Sequence, residues 1–208
     1  MQAQLKSMLQ LQDDMNTKVN ADWRTQNFAW YRAIWVECAE LLDHYGWKWW
    51  KKQQPDIEQV RLELIDIWHF GLSMVLTEFA DEQRCLDHLS TGLANMHNHA
   101  VEPETFRALL EAFAGEVITR KAFSVEQFAE LLSAADMTFD DLYTGYVGKN
   151  VLNFFRQDHG YKDGSYRKLW SGREDNEHLV EAVAALDRRD PDFARSLYQA
   201  LQQRYAQA

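Results

Sequence analysis

Four acids at helical spacing could do chemistry in this sequence. Glu37 and Glu40 stand three residues apart, as do Glu63 and Asp66, so each pair projects from one face of its helix. Glu63 has Val60 three positions before it and Ile67 four after, and Glu37 has Ile34 and Leu41 at the same offsets. Both acids therefore run along apolar stripes. Burying unpaired carboxylates is costly, and four facing inward repel one another unless cations compensate. An all-oxygen site suits hard Mg²⁺, with Mn²⁺ as a substitute; such ions keep several waters and accept phosphate oxygens as further ligands. Ions held this way polarise a phosphoryl group and activate water. One E-x-x-E step is common on solvated helix faces, but two on adjoining helices, each beside an apolar stripe, favour a metal. A diiron-type helical bundle is the competing metal reading, and Asp66-x-x-His69 supports it. That class wants an acid-x-x-His step on two helices, whereas Glu40 and His44 are four apart. His69 then reads as a hydrogen-bonded core residue behind the ligands.

The second chemical segment runs from Gly148 to Gly164. Lys149, Asn153 and Arg156 lie at i, i+4 and i+7, on one side of a helix. A point charge, an amide and a bidentate fork together suit a polyphosphate. Gly160 and Gly164 bracket a turn carrying Tyr161 and Lys162, where backbone can approach phosphates closely. Neither a P-loop nor a dinucleotide fingerprint is present.

These residues must be positioned by helices. The chain has 208 residues, three prolines and nine glycines, and no long alternating, β-branched run of the kind strands need. Periodicity and caps predict an all-α, multi-helix bundle with helices near 2–16, 27–45, 56–80, 83–98, 103–114, 124–134, 138–158, 175–187 and 191–206. Pro55, Pro103 and Pro191 each mark a helix start. Ile57, Val60, Leu64 and Ile67 form a buried stripe. A short connection containing Gly46 makes 27–45 and 56–80 an antiparallel hairpin. One domain over 1–208 is expected, with a variable helical region at about 82–136 whose role is packing or dimer contact.

A net charge of −10 opposes binding to nucleic acid or anionic membrane. Basic residues nevertheless concentrate between Lys149 and Arg173, pointing to a small anionic ligand. Two cysteines make no disulfide framework. With no signal segment or apolar span, a cytoplasmic protein without membrane contact is expected.

Several strings go further. Glu37-Cys-Ala-Glu40, Trp47-Lys48-Trp49-Trp50-Lys51, Glu63 through Phe70, and Gly148-Lys149-Asn150 through Asp163-Gly164 together resemble the motifs of the dimeric all-α dUTPases, within the all-α nucleoside triphosphate pyrophosphohydrolase superfamily. The resemblance covers roughly the first 75 residues and the stretch from about 140 to 176. It implies a homodimer that hydrolyses dUTP, and dUDP, to dUMP with Mg²⁺. It makes Glu37, Glu40, Glu63 and Asp66 the metal ligands, with Glu37, or Glu40 in its place, as the base. Lys149, Asn153, Arg156, Tyr161 and Lys168 become nucleotide and phosphate contacts, and Trp49 the base-contacting tryptophan. Gln12 and Asn16 become amide readers of uracil, whose edge offers two carbonyls and one N–H. Asn176 falls near the sugar or phosphates, within its own subunit or across the dimer. A pyrophosphatase for another pyrimidine, such as dCTP, and a non-catalytic nucleotide sensor are the remaining alternatives.

Overall fold

The structure, a computed structural model, describes residues 1–97, 99, 101–187, 190 and 192–207. The chain runs α1 (Gln2–Val19), a 3-10 turn (Trp23–Thr25), α2 (Trp30–Tyr45), α3 (Ile57–Glu78), α4 (Glu82–Gly92), α5 (Pro103–Arg120), α6 (Val125–Ala134), α7 (Phe139–Asp158), strands β1 (Leu169–Trp170) and β2 (Arg173–Glu174), α8 (Asp175–Ala185) and α9 (Phe193–Ala206). The all-α class holds. Among the described residues the only sheet is one antiparallel ribbon, pairing Leu169 with Glu174 and Trp170 with Arg173.

Local chemistry explains the boundaries. Asp56 caps α3 by accepting from the Gln59 amide, Asp81 caps α4 through Arg84, and Thr138 with Asp141 forms a reciprocal capping box at the start of α7, each satisfying amides the helix leaves orphaned. Pro103 is the first residue of α5. Pro191 lies outside the described residues, and Asp192 is the N-cap of α9. α2 begins at Trp30 rather than 27 because Asn27 adopts φ +52, a left-handed conformation a helix cannot accommodate. α4 stops at Gly92, short of the expected 98, and Asn98 itself lies outside the described residues.

The site rests on a hairpin. α2 and α3 make the most extensive helix pair, and their antiparallel register sets His44 beside Glu63 and the Asp56 amide against the His44 carbonyl. Val60, Leu64 and Ile67 are fully buried, whereas Ile57, in the first turn, is exposed. α1 and α7 pack on α3 from the other side. The helices between 82 and 136 supply a large part of the core: Phe128 stacks on Trp68 at 5.4 Å, with Phe113 and Phe123 around it. Among the described residues no helix is long and apolar enough to cross a membrane.

Candidate active site

The α2–α3 register brings three of the four acids together. One carboxylate oxygen from each of Glu37, Glu63 and Asp66 lies within 4.8 Å of the others. Glu63 is buried and Glu37 half-buried. Burial, and then the charges of Asp66, Glu63 and Glu40, push the Glu37 carboxyl up to about 8. Burial and the Asp66 charge likewise raise Glu63. Three anions so placed repel one another without a cation, and an all-oxygen donor set fits a hard divalent ion. Glu40 stands outside this group, exposed one turn further along α2, although its charge is felt by Glu37 and Glu63.

A lysine already meets the cluster. The Lys149 ammonium, buried on α7, donates to Asp66 Oδ2 at 2.8 Å and to Asn176 Oδ1 at 3.3 Å. The stripe read from the sequence is real: Asn153 and Arg156 follow it along α7, with Arg156 Nη1 donating to Asn153 Oδ1 at 3.2 Å. Much of the remaining basic segment is engaged elsewhere. Lys162 reaches the Val19 carbonyl, Lys168 pairs with Glu174 at 3.3 Å, and Arg173 pairs with Glu177 and Glu181. The 160–165 turn needs Gly160, at φ +87, because a Cβ there would sit 1.9 Å from Ser165 Oγ.

Asp66 also borders a cavity of about 300 Å³ that extends past Asn153, Arg156 and Tyr161 to Gln12, Asn16 and His69, with Trp23, Phe28, Trp30 and Phe70 on its apolar walls. A shared edge with the carboxylates, a cationic flank and an aromatic interior suit a nucleotide. Trp49 is not brought to this cavity. It is 91% exposed on the 46–56 loop and borders a separate groove, and Lys168 is likewise outside.

The inner wall is a hydrogen-bond network built on Gln12. Gln12 Nε2 donates to Asn16 Oδ1 and Ser73 Oγ, while Gln12 Oε1 lies 2.9 Å from His69 Nδ1 and 3.1 Å from the Tyr146 hydroxyl, whose single hydrogen also faces the Met8 carbonyl at 2.9 Å. Both donors of that amide are therefore occupied, and its oxygen faces His69 and Tyr146. Asn16 Nδ2 donates to Ser73 and keeps a second hydrogen. Since an amide oxygen only accepts, His69 Nδ1 carries the proton, and burial holds the ring at about 4, hence neutral. His69 Nε2 is then a bare acceptor, buried and without a partner among the described residues. Sequence reasoning expected His69 in the core and missed this nitrogen. The available signal was its position at i+3 from Asp66, one turn along the same face.

Among the described residues the carboxylate group is Glu37, Glu63 and Asp66, without His69. A family model described as dUTPase matches residues 4–161, more than half of the chain. No curated protein matches the chain. With this geometry and that match, the chain belongs to the all-α dUTPase family, the activity of which is dUTP hydrolysis.

Proposed function

We propose that the chain hydrolyses dUTP, and dUDP, to dUMP with Mg²⁺, releasing pyrophosphate or phosphate. The observation that carries this reading is the Glu37–Glu63–Asp66 cluster sharing Asp66 with a nucleotide-sized cavity. Glu37, Glu63 and Asp66 would hold the ion, and Glu40, outside the group, adds its charge to the site. A divalent ion bound there supplies positive charge that stabilises the phosphoryl transition state and makes a water more acidic. Glu37 takes the proton of the attacking water, since a carboxylate beside an acidified water needs little adjustment of its proton affinity; Glu40 is the alternative. The phosphoanhydride bond between the α- and β-phosphates breaks, and water oxygen ends on phosphorus. Lys149, Asn153, Arg156 and Tyr161 hold the phosphates from the opposite side, with Asn176 steadying the Lys149 ammonium.

The base is read at the inner wall. Uracil N3–H donates to His69 Nε2, and a neighbouring carbonyl accepts the remaining Asn16 N–H, while Gln12, its own donors occupied, fixes the orientation of both. Cytosine presents a bare N3 there, so two lone pairs would face each other. Trp49 and Lys168 contact nucleotide only if their segments close over the cavity. A dUTP-dependent change in tryptophan fluorescence that Trp49→Phe abolishes would support that closure.

A homodimer is part of this proposal. Trp35 and Val36 on α2 and Trp49 and Trp50 on the following loop are exposed, apolar surface that a second copy would cover. Both cysteines are free and buried, and burial, then the Glu37 charge, pushes the Cys38 thiol up to about 12, which suits a reducing cytoplasm. The decisive experiment compares hydrolysis of dUTP, dUDP, dCTP and the other deoxynucleotides with and without Mg²⁺. Turnover of dUTP without discrimination against dCTP would overturn the base reading, and metal-independent turnover would overturn the mechanism.

A further inference from the structure

Arg156 does not stand alone at the cavity wall. Its Nε and Nη2 donate to the two oxygens of Asp175, at 2.8 and 2.9 Å, and the Tyr166 hydroxyl donates to the same carboxylate at 2.8 Å. Asp175 is fully buried. Burial works to raise its carboxyl, but the hydrogen bonds and charge of Arg156, with Tyr166, hold it below the ordinary aspartate range. Asp175 is itself fixed twice over: it is the first residue of α8, behind the Glu174–Glu177 capping box, and its amide donates to the Lys168 carbonyl across the ribbon.

A guanidinium is planar, so gripping one edge sets the direction of the other. The edge that Asp175 grips is Nε and Nη2. The remaining nitrogen, Nη1, lies at Asn153, and both residues border the cavity. Tyr161 flanks the guanidinium face at 5.9 Å. An unrestrained arginine has several rotamers to lose on binding phosphate; this one has lost them beforehand.

We propose that Asp175 is a positioning residue for the hydrolytic site, aiming the free edge of Arg156 at the substrate phosphates. The adjacent residue, Asn176, holds Lys149, so the first turn of α8 orients both cations of the α7 stripe. Asp175 touches no substrate and acts only through Arg156. The inference rests on the reading of Arg156 as a phosphate contact.

Steady-state kinetics of the full-length, Mg²⁺-loaded protein test it, using Asp175→Asn, Arg156→Gln and the double variant, with melting temperatures alongside. Asp175→Asn should raise the KM for dUTP about tenfold while kcat moves much less, the size expected for loosening one charge-assisted contact. The double variant should then be no worse than Arg156→Gln, because both changes disable the same group. An unchanged KM in Asp175→Asn, or losses that add in the double variant, overturns the proposal. An unchanged KM in Arg156→Gln instead removes the phosphate role of Arg156 beneath it. If Asp175→Asn does not fold at assay temperature, Tyr166→Phe loosens the same carboxylate from its other side. A raised KM at a near-native melting temperature then supports the proposal, and a native KM overturns it.

Discussion

His69 is an acceptor because its surroundings leave it no other state: Gln12 holds the proton on Nδ1, and burial keeps the ring neutral down to about pH 4. Preference for dUTP over dCTP should therefore be flat between about pH 6 and 8, and His69→Ala should reduce the kcat/KM ratio by about tenfold or more. Stability carries a matching signature. The folded-state value lies below the ordinary histidine value of 6.5, so the unfolded chain binds more protons between the two. Stability should fall as pH drops from about 6.5 to 4, by on the order of 3 kcal/mol from this group, and urea titrations of His69→Gln should show a shallower loss. At the acids, stability and activity should move in opposite directions. Without metal, a Glu37 carboxyl raised to about 8 must take up a proton on folding near neutral pH, so Glu37→Gln should raise the metal-free melting temperature by a few degrees while Mg²⁺-dependent dUTP turnover collapses. The clustering of Glu37, Glu63 and Asp66 was legible because carboxylates set along the apolar stripes of adjoining helices come to face one another. The separation of Glu40 was not, since one step of helix rotation decides it, and the engagement of the Gln12 amide depends on partners up to 134 residues away.

Helix periodicity carried most of the architecture, because each helix has a strong cap or a strong stripe: the capping box of α7 and the Val60–Leu64–Ile67 row of α3 are readable in the chain itself. The 3-10 turn at 23–25 and the ribbon at 169–174 were not, as elements of two or three residues leave no period to read. The exposed Ile57 shows the same limit from the other side, since an end residue keeps the spacing of a stripe after the neighbours that would bury it have run out. One close approach gives a test of the α3 packing. Gly71 faces the Phe123 ring, three atoms of which would lie 2.6–2.8 Å from an added Cβ, and that ring is wedged against Trp68, Phe113 and Phe128. Gly71→Ala should cost about 1–3 kcal/mol by overpacking, measured by urea denaturation, with dUTP turnover per folded molecule close to native.

For the molecule as a whole, the exposed tryptophans on α2 and the following loop make assembly testable. Trp35→Glu should shift light-scattering mass after size exclusion from two chains to one, as a charge cannot be buried there unpaired; an unchanged dimer would place the interface elsewhere. The inner wall joins Gln12 to Tyr146, and Lys149 is joined to Asn176, so the surroundings of the site draw on helices near both ends of the chain. Such long separations raise the contact order above that of a simple up-and-down bundle and slow its folding. They also have a consequence during synthesis. A ribosome that has released α1 through α3 has already exposed the carboxylates, but neither Lys149 nor the first turn of α8 exists outside it. The nascent chain thus carries its acids before the cations of the α7 stripe, and under the roles proposed for Lys149 and Arg156 hydrolysis waits until nearly the whole protein has emerged.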